Sequence, residues 1–327
     1  LQTGGVESLQ KKTKKQTTDT MKRKSILILG MILVLVPVRA QILPRMDMMM
    51  FYTKSWTGER FSDGRPMVSD DLLKRVVKLS IEEVWQTLRN EGYNNQYADG
   101  FKMIHPDKPF TGRAVTARYM PKRPDVEKLI LDKGHADGQK GAANSWPIDQ
   151  LKTGDVYVAE CFGKVVDGTL IGDNLGNSIF SKSKTGVVFD AGARDLEGLE
   201  EIEGFNACVR DFHPSYLMET MLMGINVPVI IGNAVVMPGD VVLAKKEGVI
   251  FIPPHLLQKV VLNGEFVTLK DQFGHAMLRE GRYTPGQIDA AWTDEIKEAF
   301  LKWLDANPDK LPMSRLELND YMKERNW

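Results

Sequence analysis

Residues 163–195 read GKVVDGTLIGDNLGNSIFSKSKTGVVFDAGARD, and the succession of element types inside them sets the fold class. A strand-like run from Gly163 to Ile171 turns through Gly172-Asp-Asn-Leu-Gly176, continues as a helical stretch near 175–184, and meets a second apolar run, Gly186-Val-Val-Phe-Asp190. Apolar, β-branched runs without polar alternation suit strands covered on both faces. Working outward, comparable runs recur at Arg113–Arg118, Asp155–Glu160, Asn226–Ile231, Asp240–Ala244 and Gly248–Ile252, with helical stretches near 195–202 and 215–223. Strands and helices in this alternation predict a mixed α/β domain.

The flanks are helical. Ser69 is placed to cap a helix over about 70–79, and Ser80-Ile-Glu-Glu83 forms a capping box for a second helix with Val84, Trp85 and Leu88 on one face. Near the other end, Thr284-Pro-Gly-Gln287 is a capping box with Pro at the first helical position. A stripe of Trp292, Ile296, Phe300, Trp303 and Leu304 follows at helical spacing, Asn307-Pro308 ends it, and Ser314-Arg-Leu-Glu317 starts another helix. Such a stripe reads as core or subunit packing rather than a cofactor box.

The chain of 327 residues carries 43 Lys+Arg against 43 Asp+Glu and is 43% hydrophobic, which excludes a disordered tail or a collagen-like fibre. The even balance conceals an asymmetry. The first 40 residues hold eight basic and two acidic residues, leaving 35 basic and 41 acidic over 41–327, a net of −6. An acidic bulk argues against a nucleic-acid surface. Residues 1–20, polar and lysine-rich, are expected to be an over-extended translation with Met21 as the true start. Met21-Lys22-Arg23-Lys24, the apolar run Ile26 to Val36 and the small residues Val38 and Ala40 match a secretory signal cleaved before Gln41. The run falls short of the roughly 20 apolar residues a bilayer span needs, so an exported protein free of the membrane is expected. The two cysteines, Cys161 and Cys208, sit in apolar runs and read as buried free thiols, with a Cys161–Cys208 bridge as the alternative that export permits.

Chemistry concentrates in two loops. Gly172-Asp173-Asn174-Leu175-Gly176 opens a helix whose first N–H groups favour an anion such as a carboxylate, with Asp173 or Asn174 as its cap. Asp190-Ala-Gly-Ala-Arg194-Asp195 leaves a strand through small residues that permit close backbone approach. Its Arg offers a planar fork for a carboxylate and its Asp a hard oxygen ligand for a divalent cation. On spacing alone, the same residues also make a helix cap plus a structural ion pair.

Asp173, then twenty residues, then Arg194-Asp195 resembles the signature of the RraA-like family, which includes the class II 4-hydroxy-4-methyl-2-oxoglutarate aldolases once misnamed dimethylmenaquinone methyltransferases. Gly112-Arg-Ala-Val-Thr116, Gly154-Asp155, Gly172-Asp-Asn-Leu175, Gly186-Val-Val-Phe-Asp190, Val227-Pro228, Pro238-Gly-Asp240 and Glu247-Gly-Val249 look like further family landmarks in order. The segment often written Asp-x-Asp-Gly reads Lys245-Lys-Glu247-Gly248 here, a departure that weakens inference from that loop. The resemblance implies an αββα sandwich of the swivelling-domain type with added N- and C-terminal helices, assembled into homotrimers or homohexamers with sites near subunit boundaries. It divides the chain into a lead-in at 41–69, a catalytic domain at 70–262 and a helical extension at 263–327.

For the site, the resemblance implies that Asp195 holds a Mg²⁺ or Mn²⁺ ion. Arg194 and the amides of Asn174 and Leu175 would hold the pyruvyl end of a 2-oxo acid, and Asp173 would orient a water on the ion. A carboxylate from a neighbouring subunit also takes part in family members. The implied reaction is retro-aldol cleavage of a 4-hydroxy-2-oxo acid, with oxaloacetate decarboxylation through the same enolate.

Rival readings are a metal-binding lyase, hydrolase or isomerase acting on another exported substrate such as a sugar acid, and a non-catalytic regulator. Regulators in the family that inhibit an RNA-degrading enzyme lack the acid after the Arg, which is present here as Asp195. A methyltransferase is disfavoured because no Gly-rich cofactor loop joins a strand to a helix. His105, His213, His255 and His275 form no spaced ligand pair, whereas His135 lies in the Gly-rich stretch Gly134 to Gly141, a candidate lid over the substrate.

Overall fold

The computed structural model describes Ile42, residues 46–323 and Trp327. The expected segments 1–20 and 21–40 lie outside the described residues. Strands are β1 (Tyr97–Ala98), β2 (Lys102–Met103), β3 (Phe110–Pro121), β4 (Asp155–Thr169), β5 (Val187–Ala193), β6 (Ala207–Phe212), β7 (Thr220–Ile225), β8 (Val229–Ile231), β9 (Ala234–Val236), β10 (Val241–Lys245) and β11 (Gly248–Ile252). Helices are α1 (Met46–Tyr52), α2 (Asp70–Val76), α3 (Ile81–Asn90), α4 (Pro124–Ala136), α5 (Trp146–Asp149), α6 (Asp173–Ser183), α7 (Leu196–Glu200), α8 (Leu257–Arg279), α9 (Pro285–Asp289), α10 (Asp294–Ala306) and α11 (Arg315–Lys323).

Nine strands form one mixed sheet in the order β1-β11-β10-β3-β4-β5-β6-β2, with β7 added against the second half of β3. The centre is parallel, with Arg113 opposite Asp155, Tyr157 opposite Val187, and Val187 opposite Ala207. Helices α4 to α7 lie in the connections between these parallel strands, as such crossovers require.

Burial follows the two faces of the strands. Ala114, Val156, Val158, Val188, Val242 and Phe251 meet in one inner core together with Val229, Ile231, Ala234 and Val236 of the two-stranded sheet β8–β9. The alternate residues Val115, Tyr157 and Phe189 face outward and pack with Trp146 and Ile179 from the connecting helices. On the other wing, Leu243 and Ile250 pack against Leu73, Val84 and Val260 of α2, α3 and α8. Two sheet layers between two helical layers give the expected α/β sandwich. The helical extension has a core of its own, where Phe266 and Phe273 of α8 meet Ile296, Phe300 and Leu318. Helix α8 runs unbroken across residue 262 and joins both cores. Among the described residues, no helix is long and apolar enough to cross a membrane.

A buried ion pair ties the lead-in to the sheet. Arg65, fully enclosed, donates from both terminal nitrogens to Asp155 at 3.1 and 3.0 Å, and Arg113 stands 3.8 Å from the same carboxylate. The Gly154-Asp155 landmark is therefore structural.

Several expectations require correction. Residues 215–223 do not form a helix: Thr220–Ile225 is strand β7, held by pairing with the free second half of β3, so tertiary pairing overrides the helical preference of Met and Leu. Asn226–Ile231 is not one strand, since Asn226 turns at φ 55° and β8 begins at Val229. Gly163–Ile171 is not separate either, because β4 continues through the left-handed residues Phe162, Gly163 and Asp167 to Thr169. Trp85 leaves the buried face of α3, being 36% exposed under the guanidinium of Arg89. The Trp292–Leu304 stripe spans a break between α9 and α10, with Trp292 ahead of α10 and wedged against Phe273 and Phe300. Cys161 and Cys208 are buried free thiols in cores on opposite faces of the sheet, so the bridge is not formed.

Candidate active site at the carboxyl ends of strands β4 and β5

Parallel strands β4 and β5 end side by side, and the loops that leave them carry both sequence motifs. The loops are stitched together by backbone bonds from Leu170 N–H to Gly192 O and from Arg194 N–H to Ile171 O, each 3.0 Å. Sites in α/β sheets gather at such strand ends because the outgoing loops converge there.

Gly172, not Asp173 or Asn174, is the N-cap of α6, and no side chain caps the helix. Asp173 is instead the first helical residue and its Oδ1 accepts the N–H of Asn174 at 2.7 Å. The first intrahelical bond, Gly176 N–H to Gly172 O at 2.9 Å, comes after the amides of Asn174 and Leu175, which leaves the start of α6 polarised toward an anion.

Asp195 adopts the left-handed conformation, φ 57° and ψ 47°, where α7 begins. That conformation is sterically unfavourable for an L-residue and tolerated best by Asp and Asn among side-chain-bearing types. Its carboxylate does not cap α7 but turns back to Arg194, whose Nη1 stands 3.0 Å from Oδ2. Gly172 makes room for this arrangement: a Cβ there would overlap Asp195 Oδ2 and lie 3.2 Å from Cγ. Gly198 does the same for Asp173, whose Cβ would stand 2.8 Å from an added methyl. The two carboxylates thus flank one glycine-lined corner.

Beside this corner opens a cavity of about 450 Å³. Asn174, Leu175 and Arg194 line it, whereas Asp173 and Asp195 sit at its edge and do not. Arg194 also lies under the ring of Tyr216, 5.2 Å from its centroid, so the guanidinium is held from two sides. The far wall comes from α4 and the loop behind it, through Glu127, Ile130, Leu131, His135 and Asn144. Of the stretch Gly134 to Gly141, the first three residues close α4, His135 and Gly141 line the cavity, and the loop is held by Trp146 Nε1–H to Lys140 O at 3.0 Å and, just beyond it, Asn144 Nδ2 to Leu170 O at 3.1 Å. The floor includes Tyr119, whose hydroxyl meets that of Tyr157 at 2.9 Å and is pushed well above its ordinary pKa by burial. Tyr119, Tyr216, Met221 and Leu222 were not legible as site residues, because β7 and the end of β3 reach the site only through their pairing. Nearby, burial pushes the Cys161 thiol up to about 12, so it is no nucleophile at neutral pH.

Among the described residues, no group of three or more His, Cys, Asp and Glu side chains gathers to hold an ion. The corner instead offers Asp195, 36% exposed, as one hard oxygen donor. That fits an ion such as Mg²⁺, which is held by one or two carboxylates and keeps water or substrate in its other positions, and does not fit a closed four-ligand site.

A family model described as RraA-like, Aldolase/RraA, matches residues 66–251. An uncharacterized protein from Pseudomonas syringae pv. tomato str. DC3000 is 21% identical with a TM-score of 0.57, over 71% of this chain and 98% of that one. A Streptomyces coelicolor protein, described as an unusual member of the RNase ES inhibitor RraA protein family, is 23% identical with a TM-score of 0.51, over 66% and 96%. A structure described among novel cellulases from microbes associated with the gut ecosystem is 16% identical with a TM-score of 0.55, over 70% and 96%. At these identities the likeness is one of fold.

Proposed function

The chain belongs to the RraA-like family, and we propose that it is a divalent-metal-dependent lyase that cleaves a 4-hydroxy-2-oxo acid by a retro-aldol reaction, with oxaloacetate decarboxylation as a side activity. One observation carries this reading: Arg194, the start of α6 and the carboxylate of Asp195 converge at the mouth of a single cavity. An acid beside a cavity, next to an Arg and a helix start, supports a catalytic reading over a regulator that works by surface contact.

The residues divide the work as follows. Arg194 and the Leu175 amide bind the carboxylate of the 2-oxo acid, the guanidinium supplying two parallel donors. The Asn174 amide joins them once Asp173 releases it. Arg194 is bonded to Asp195, and with ligands bound this pair would separate, the guanidinium turning to the substrate carboxylate and the Asp195 carboxylate being the group that would hold a divalent ion. A bound Mg²⁺ or Mn²⁺ would supply Lewis-acid stabilisation of charge developing on the 2-keto oxygen. Asp173, at the edge of the cavity, would orient a water that exchanges the proton at C3 of the pyruvyl fragment once its Oδ1 is freed from the Asn174 amide. The leader at 21–40 would place the activity outside the cytoplasm, and a mature N-terminus at Gln41 checks that. Assembly into trimers or hexamers is tested by light scattering.

The test of the reading is pyruvate release by the purified protein from 4-hydroxy-4-methyl-2-oxoglutarate or oxaloacetate. Turnover is expected with Mg²⁺ or Mn²⁺, and neither with EDTA nor in Asp195→Ala. Equal turnover in EDTA, or an undiminished Asp195→Ala variant, removes the metal-dependent mechanism.

A further inference from the structure

Resting on that reading of the site, we infer that the preferred substrate is a 4-hydroxy-2-oxo acid whose C4 carries an apolar, uncharged group, so that the fragment leaving pyruvate is an aryl or branched-alkyl aldehyde. The argument is one of volume and charge. A cavity of about 450 Å³ is in the range that holds drug-sized ligands, well beyond the needs of pyruvate, so most of it serves the other fragment.

That remaining space is walled by Ile130, Leu131, Leu175, Leu217, Met221 and Leu222. Arg194 is the only Lys or Arg among the lining residues described, and the pyruvyl carboxylate occupies it. Glu127, the only acid among the lining residues described, is paired with Lys122 at 2.9 Å, so this ion pair leaves no free cation on that wall. Among the remaining polar groups the Thr220 hydroxyl is buried without a hydrogen-bond partner and offers a neutral donor only, while others already have contacts. His135 Nε2 lies 3.3 Å from Gly141 O, Asn144 donates to Leu170 O, and burial keeps the Tyr119 phenol protonated. A C4 carboxylate would therefore give up part of its water without gaining a paired cation, which disfavours it relative to an apolar group. An apolar C4 group fills the same space and gains by leaving water.

The step balances without a co-reactant. The C3–C4 bond breaks and its electron pair remains on C3 as the pyruvate enolate. The C4 hydroxyl loses its proton as C4 becomes the aldehyde carbon, and one proton returns to C3.

The experiment compares kcat/KM of the purified protein, saturated with Mg²⁺, on 4-hydroxy-2-oxo-4-phenylbutanoate and 4-hydroxy-2-oxoglutarate, with oxaloacetate as a third substrate. The phenyl compound is expected to exceed the dicarboxylate by about tenfold or more, the equivalent of about 1.4 kcal/mol. Ile130→Lys, which puts a cation on a half-buried face of α4, is expected to reverse the order. Equal or better use of the dicarboxylate by the parent protein overturns the inference and leaves the lyase reading standing. Absence of pyruvate from all three substrates overturns both.

Discussion

Replacing Gly172 with Ala isolates the geometry of the acidic corner from the stability of the fold. Gly172 has φ −126° and ψ −168°, an extended conformation that alanine adopts without strain. The added methyl would overlap Asp195 Oδ2 and press on Asp195 Cγ at 3.2 Å and Arg194 Cγ at 3.3 Å. To restore ordinary contact the carboxylate must move by about 1 Å, a displacement that can lower turnover about 10²-fold. That corresponds to about 2.7 kcal/mol of lost transition-state stabilisation. The fold is affected far less, because the displaced atoms belong to partly exposed side chains, and alanine also restricts the unfolded chain by about 0.4–1 kcal/mol in favour of folding. The expected outcome is a large fall in kcat/KM for pyruvate release, followed by NADH oxidation with lactate dehydrogenase, at a urea midpoint close to that of the parent. A variant folded as before and within twofold of parent activity would refute the placement of Asp195 against Gly172 as the working arrangement.

Three further outcomes follow from burial. Asp155→Ala leaves the enclosed Arg65 without its bidentate partner and is expected to lower unfolding free energy by about 3–5 kcal/mol in denaturant titration; an unchanged midpoint counts against that ion pair as the anchor of the lead-in. Burial pushes Asp240 from 3.8 up to about 8, so the folded chain holds a proton that the unfolded chain releases between these values. Stability is therefore expected to fall as pH rises from about 4 to 8, by at most about 1.4 kcal/mol per unit, and to level off above; Asp240→Asn should remove that slope, and an identical pH profile for the two proteins contradicts it. Burial also pushes both thiols up to about 12, so native protein at pH 8 should leave Cys161 and Cys208 unmodified by a thiol reagent, with both reacting only after denaturation.

How much was readable depends on the range of the interactions involved. The capping boxes at Ser80 and Thr284 form as their sequences dictate, because each is complete within four residues. Strands β3, β5, β10 and β11 were legible from apolar runs, since burial on both faces writes itself directly into composition. The 215–223 segment was not, because its Leu and Met residues suit a helix and only the open edge of β3 makes it a strand. The same error hid Tyr216, Met221 and Leu222 from the candidate site. Asp173, Arg194 and Asp195 were found because each lies within a few residues of a strand end. Their relation to one another could not be read, since Asp195 lies against Gly172 across 22 intervening positions of sequence.

By itself, then, the amino-acid order determined the local elements, the family motif and the identity of the charged groups, all of which are properties of short stretches of chain. The tertiary structure alone decided that the two motif loops share one corner, that Arg194 is paired with Asp195, and that the cavity beside them has a wall of Ile, Leu and Met side chains with Arg194 as the one Lys or Arg among the lining residues described. Those relations arise from pairing parallel strands whose partners lie tens of residues apart, and a cavity has walls only once such distant segments have packed.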